Sequence, residues 1–155
     1  SKCINKAVID RQSKIKFRVL KNYLGSSYLC FSKVHEKPSE EAEIIKIQST
    51  SLEEELGRDY HIDLLKIDAE GAEPLIIQGS IELLKYNPNI KVILEFNIGH
   101  FTPEYGEHAD AEEYLGFLRN LGFKINLITE DSQYHQVSNA EIINNSNNQE
   151  LLLFR

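Results

Sequence analysis

The chain has no methionine, no tryptophan, two cysteines and four prolines among its 155 residues. Two cysteines, Cys3 and Cys30, cannot build a disulfide framework, and their spacing is not that of a metal-binding pair. They read as two small buried hydrophobes, which suits a reducing, cytoplasmic home. No run of 18 apolar residues occurs, so no membrane span is expected. No signal peptide is visible, and the missing first methionine reads as a processed or trimmed start, or as a piece of something longer. Positive charge is scarce as well: 17 Lys and Arg stand against 24 Asp and Glu, a net charge of −7. Nucleic-acid affinity rests largely on cations that displace phosphate counterions, so a broad nucleic-acid surface is not expected.

What is present is ordinary globular material, 41% hydrophobic and 26% charged. Residues 1–155 read as one domain, which at this length buries roughly two-thirds of its unfolded surface. Ile4 to Ile9 and Ile15 to Leu20 read as two strands joined by the polar stretch Asp10 to Lys14, a predicted hairpin. Glu43 to Gln48 gives a third strand. Ser51 with Glu54 has the form of a capping box, and the short helix it opens should end near Gly57. Ile62 to Asp68 is the clearest strand of the chain. A helix should start at Pro74, with a break at Gly79-Ser80 and an end before Pro88. Ile90 to Phe96 is nearly all apolar, as a strand buried on both faces should be. His108 to Leu121 is predicted to be an amphipathic helix stopped by Gly122. Phe123 to Thr129 and Leu151 to Phe154 read as strands, and the polar, Asn-rich residues 130–148 as an exposed loop. Strands that alternate with helices predict an α/β fold with a mostly parallel sheet, helical crossovers and an antiparallel edge.

Chemistry concentrates after the strand Ile62 to Asp68. Asp68, Glu70 and Glu73 crowd around Gly71 within six residues. In a parallel α/β sheet, ligands bind beyond the carboxyl ends of the strands, where this cluster should sit. Asp68 can also be a turn former, and Glu73 a cap favoured by the helix dipole. The next strand carries Glu95, an acid in an apolar run that must be paired, hydrogen-bonded or functional. If the two strands are neighbours, Glu95 and Asn97 reach the same sheet edge, and His100 can enter the same mouth. Burial and like-charge crowding would raise a carboxylate pKa there, which suits general-base work. Asp68, Glu95 and Asn97 are also oxygen ligands of the kind a magnesium ion takes. Lys66 points the same way as Asp68 and can neutralise one of the acids, or simply snorkel.

The segment Asp63-Leu64-Leu65-Lys66-Ile67-Asp68-Ala69-Glu70-Gly71-Ala72-Glu73, with Ile77-Gln78-Gly79-Ser80 and Leu83-Leu84-Lys85 behind it, resembles the hallmark segment of the FkbM-type methyltransferases. The strand Asn89 to Glu95, the upstream Asn5-Lys6-Ala7-Val8 and the loop Gly25-Ser26-Ser27 are similar to that family too. The resemblance implies a class I methyltransferase fold and S-adenosylmethionine as methyl donor. It also implies a hydroxyl acceptor on a sugar or small molecule. Asp68 and Glu70 would lie beside the transferring methyl group and Glu95 would line the acceptor pocket. The glycine-rich cofactor loop of such enzymes is not in this sequence, where no Gly-x-Gly occurs. The cofactor-binding residues are therefore unassigned, and the chain corresponds to the family's fold from about its third strand onward, without the first two.

Two readings follow. One is the acceptor-side portion of an O-methyltransferase, with Asp68, Glu70 and Glu95 as catalytic candidates and a possible homo-oligomer filling the open sheet. The other is a degenerate methyltransferase-like domain that serves as a binding or assembly module. A nucleic-acid methyltransferase is disfavoured by the acidic balance and by the lack of an aromatic–proline motif after the Ile62 strand.

Overall fold

The computed structural model describes residues 3–105 and 110–155. The first strands are β1 (Ala7–Val8), β2 (Ser13–Leu20), β3 (Tyr28–Leu29) and β4 (Ala42–Thr50), joined into one sheet in the order β1-β4-β2-β3. The predicted hairpin between the first two strands does not form. β1 pairs in parallel with the end of β4, while β2 pairs antiparallel with β4 along its whole length. The cause is Ser49, a buried residue of β4. Its hydroxyl accepts from Ser13 N at 3.0 Å and donates to the Arg11 carbonyl at 3.0 Å, which ties the connection to β4.

α1 (Leu52–Leu56) opens with the predicted capping box of Ser51 and Glu54 and closes at Gly57. β5 (Leu64–Ile67) leads to α2 (Glu73–Gln78) and, after a break at Gly79-Ser80, to α3 (Ile81–Tyr86). A Cβ on Gly79 would meet the Ile9 carbonyl oxygen at 2.6 Å and Asp10 Cα at 2.7 Å, so glycine lets this break dock on the end of β1. β6 (Lys91–Phe96) follows, and then two 3-10 turns, Ile98–His100 and Pro103–Tyr105. The predicted helix from His108 becomes α4 (Ala111–Asn120), N-capped by Asp110. Its first predicted residues, His108 and Ala109, lie outside the described residues.

β7 (Lys124–Ile128), β8 (Tyr134–Gln136), α5 (Asn139–Ile143) and β9 (Gln149–Phe154) complete the chain. Residues 130–148 are therefore not an exposed loop. They hold a strand and a capped helix, and they send Val137 and Ile142 into the core. Their polarity misleads because α5 is bound largely by polar contacts. Arg119 donates to Asn139 Oδ1 and to the Val137 carbonyl, both at 2.8 Å.

The second sheet runs β5-β6-β9-β7-β8. β5 and β6 are parallel, and β9 is antiparallel to both β6 and β7. β5, β6 and β7 thus share a direction, with β9 reversed between them. The expected mostly parallel sheet with an antiparallel edge becomes two mixed sheets, and the reversed strand sits inside. Leu151 and Leu153 explain that position, since both are completely buried on β9 beside Val92, Leu94 and Ile125. Neither cysteine is buried as expected: Cys3 is exposed and Cys30 half-buried. Among the described residues no helix is long and apolar enough to cross a membrane.

Candidate active site

Strand β5 runs out at Ile67, and the turn behind it is built around one buried carboxylate. Glu73 folds back from the start of α2, accepting from Ala69 N at 2.7 Å and from Gly71 N at 2.9 Å. Burial pushes its pKa up, against the pull of those N–H groups. With Glu73 inside the turn, Glu70 takes φ +49° and Gly71 φ +94°. The turn throws Asp68 and Glu70 outward beyond the sheet.

β6 lies beside β5, with Ile67 opposite Leu94, so Glu95 emerges next to the same turn. Oxygens of Asp68, Glu70 and Glu95 all lie within 4.8 Å of one another. Burial, hydrogen bonding to Asp68 and the charges of Asp68, Glu70 and Glu73 push Glu95 up to about 7. Burial first, and then the Asp68 charge, raises Glu70 as well. Three carboxylates this close either share a proton or take a cation. Asn148 Nδ2 donates to Glu95 at 3.1 Å. Lys66 Nζ stands between Asp68 and Glu150, 3.6 Å from an oxygen of each, in an exposed setting where ion pairs contribute little.

The other expected members divide. Asn97 accepts from Gly99 N at 2.8 Å, so its side-chain oxygen caps its own 3-10 turn. His100 does enter the mouth, with Nε2 3.9 Å from a Glu70 oxygen and burial pushing its pKa down. Sequence reasoning missed the aromatic residues around it. Residues 98–105 form a strap whose Tyr105 ring packs on His100, Phe31 and His35, with ring centres 5.0, 5.0 and 5.2 Å away. Tyr105 also covers the turn, since a Cβ on Gly71 would meet its ring at 2.7 Å. No local pattern announces this, because Phe31 and His35 come from the first sheet's connection, far away in sequence.

A cavity of about 330 Å³ opens between the two sheets. Val8, Ile9, Phe17, Leu65 and Ile67 supply apolar walls, and Asp68 and Glu70 lie at its polar side. Among the described residues β5 has a strand partner on one side only, so its free edge faces this space. Apolar walls with a few convergent polar groups are the usual make-up of a small-molecule site, and the volume sits at the low end of such sites.

The family model described as methyltransferase FkbM domain matches residues 2–125, most of the chain. The chain belongs to the FkbM methyltransferase family. Comparisons with curated proteins and with solved structures gave no match. Membership of the FkbM family suggests an S-adenosylmethionine-type cofactor. The residues present fit such a group in one respect: the carboxylates beside an apolar cavity are suited to a cationic sulfonium centre and to hydroxyl groups.

Proposed function

We propose that this chain carries the acceptor side of an S-adenosylmethionine-dependent O-methyltransferase acting on a hydroxyl of a small molecule or sugar. The observation that supports the reading most is the carboxylate trio Asp68, Glu70 and Glu95 at the ends of two parallel strands, beside a cavity. The common direction of β5, β6 and β7 suits a class I methyltransferase core. When bound, the cofactor supplies an electrophilic methyl group.

The residues of this chain do the rest. Asp68 or Glu70 accepts a hydrogen bond from the acceptor hydroxyl and takes its proton as the oxygen becomes a nucleophile. Glu95, raised to about 7, holds a proton near neutral pH and keeps the trio from carrying its full negative charge. The apolar walls exclude water, and the turn held by Glu73 fixes the geometry that orientation-dependent catalysis needs. A second copy of the chain against the free edge of β5 belongs to the same proposal, because an unpaired edge invites a strand.

Calorimetric titration with S-adenosylhomocysteine, on this chain and on Asp68→Ala, tests the reading. Saturable binding that weakens in the variant supports it. No binding by a folded chain refutes a self-sufficient cofactor site and leaves the piece of a longer enzyme or the non-catalytic module.

A further inference from the structure

We propose that His35 is a pH-operated latch, whose neutral ring holds the strap of residues 98–105 in place and whose protonation releases it. Among the described residues the strap's own backbone hydrogen bonds are all local: His100 N to the Asn97 carbonyl, Phe101 N to Ile98, and Tyr105 N to Thr102. Side-chain rings attach it to the rest of the molecule. Phe101 stacks on Phe96 at 4.9 Å and on Tyr114 at 5.6 Å, which anchors the first half to the second sheet and α4. Tyr105 anchors the second half to the first sheet's connection through Phe31 and His35. His35 is itself gripped edge-on by Tyr28 at 5.1 Å and by Phe31 at 6.1 Å. Two rings, Phe31 and the His35 imidazole, thus join the first sheet's connection to the strap, and of the two only His35 can take up a proton.

The ring is buried, and Nδ1 is closed off with no hydrogen-bond partner among the described residues. A neutral imidazole tolerates this by placing its proton on Nε2. The protonated ring carries a hydrogen on both nitrogens, and its Nδ1–H would face no acceptor and no water. The charged groups around the ring do not reverse the preference. Glu104, on the strap, has an oxygen 3.9 Å from Nε2, too far for a hydrogen bond, and its side chain is mostly exposed. Arg18, from β2, donates to the carbonyls of His35 and Lys37 and disfavours a second cation. Glu36 of the same connection is taken by Lys16. Burial pushes the Tyr105 phenol and the Cys30 thiol up, so both stay neutral in this range, and the thiol donates to the His35 carbonyl at 3.4 Å. Burial therefore dominates and pushes the His35 pKa down.

The sign follows. The strapped state binds His35 in its neutral form, whereas a released strap leaves the ring in water and free to protonate. Strap docking is then fully present above the ordinary histidine pKa and is lost as pH falls below it, through the lowered pKa of the docked ring. Release would uncover the Gly71 turn and Glu70. That it would open the acceptor side rests on the function proposed above, while the latch does not.

The test is amide hydrogen exchange by NMR on the whole chain, with protection factors for His100, Phe101 and Tyr105 followed from about pH 7.5 to about pH 5 and the His35 ring titrated in parallel. Protection should fall about fivefold or more, with a midpoint that tracks the His35 ring. His35→Phe keeps a packed ring and should abolish the fall, whereas His100→Gln should keep it. Glu104→Gln removes the one carboxylate among the described residues that favours the charged ring, so its midpoint should move to lower pH. The latch is overturned by a fall that survives in His35→Phe, by one that vanishes in His100→Gln, or by flat protection while His35 titrates. If His35→Phe does not fold, an unmoved midpoint in Glu104→Gln overturns it. None of these readouts uses a cofactor, so a failed S-adenosylhomocysteine titration leaves the outcome unaffected.

Discussion

Replacing Gly71 with alanine tests whether the strap lies on the turn in solution. Two separate penalties apply. Gly71 has φ +94°, where an L side chain costs about 1–2 kcal/mol. The added Cβ would also meet Tyr105 Cε1 at 2.7 Å, Tyr105 Cδ1 at 2.8 Å and His100 Cβ at 3.3 Å. A flexible side chain would swing clear of such a contact. Tyr105 cannot, because His100 packs on it from one element and Phe31 and His35 from another. Overpacking of this kind costs about 1–3 kcal/mol. Gly57 is the internal control: its φ is +91°, and the Cβ contact it would make is with Asp59 Oδ1 at 3.4 Å, an ordinary distance. Gly57→Ala should therefore cost only about 1–2 kcal/mol, and Gly71→Ala about 1–3 kcal/mol more. Urea unfolding measures both. In a Tyr105→Ala background most of that excess should vanish, since the obstructing ring is gone. Equal costs for the two glycines, or an excess that survives removal of Tyr105, would refute the close approach of the strap.

Further outcomes follow from the same structure. Glu73→Gln should cost about 1–3 kcal/mol in urea unfolding, because an amide group replaces one of two acceptor oxygens inside a buried turn. Ile142→Ala should cost about 2–5 kcal/mol, whereas a residue of an exposed loop would cost next to nothing. Carboxyl-carbon NMR should show a titration step near 7 that involves Glu95 and disappears in Glu95→Gln. Since that pKa is raised on folding, its contribution to stability is present at low pH and fades as pH rises through about 7. Unfolding free energy measured on either side of that pH should decline less in Glu95→Gln.

Local rules read correctly wherever a local cause decides the structure. The Ser51–Glu54 box, the Gly57 stop, the break at Gly79-Ser80 and the apolar β6 strand all depend on side chains within a few residues. The failures share the opposite property. β2 pairs with β4 across a long connection, with Ser49 of β4 tying down the segment that leads into β2, and nothing near Ser13 announces that. β9 inserts between β6 and β7 although it comes last in the chain, a choice made by burial of Leu151 and Leu153. The α5 helix was the avoidable miss. Ser138 and Glu141 repeat the box read at Ser51 and Glu54, but the asparagines around them masked it.

The site separates along the same line. Asp68, Glu70 and Glu95 could be brought together on paper because parallel neighbouring strands deliver their ends to one edge, and β5 and β6 are such a pair. The sequence offered Glu73 as a cap at the helix start and left it out of the catalytic candidates, but could not show which backbone groups it holds. Glu73 is as acidic as its neighbours, yet its two oxygens are spent on Ala69 N and Gly71 N. That assignment matters for the chemistry. Like charges this close repel, and an unconstrained turn would relax by rotating Asp68 or Glu70 away. Here the backbone of the turn is tied by Glu73 from inside and covered by Tyr105 from outside, so little relaxation is open to it. Burial first, then the hydrogen bond and charge of Asp68, and after them the charges of Glu70 and Glu73, raise Glu95 to about 7, so the trio answers its crowding by holding a proton. Glu73 adds the smallest of the charge contributions to Glu95, on top of its role in holding the turn. Glu73→Gln should accordingly lower the Glu95 titration step even where the fold survives, both by loosening the turn and by removing one nearby negative charge.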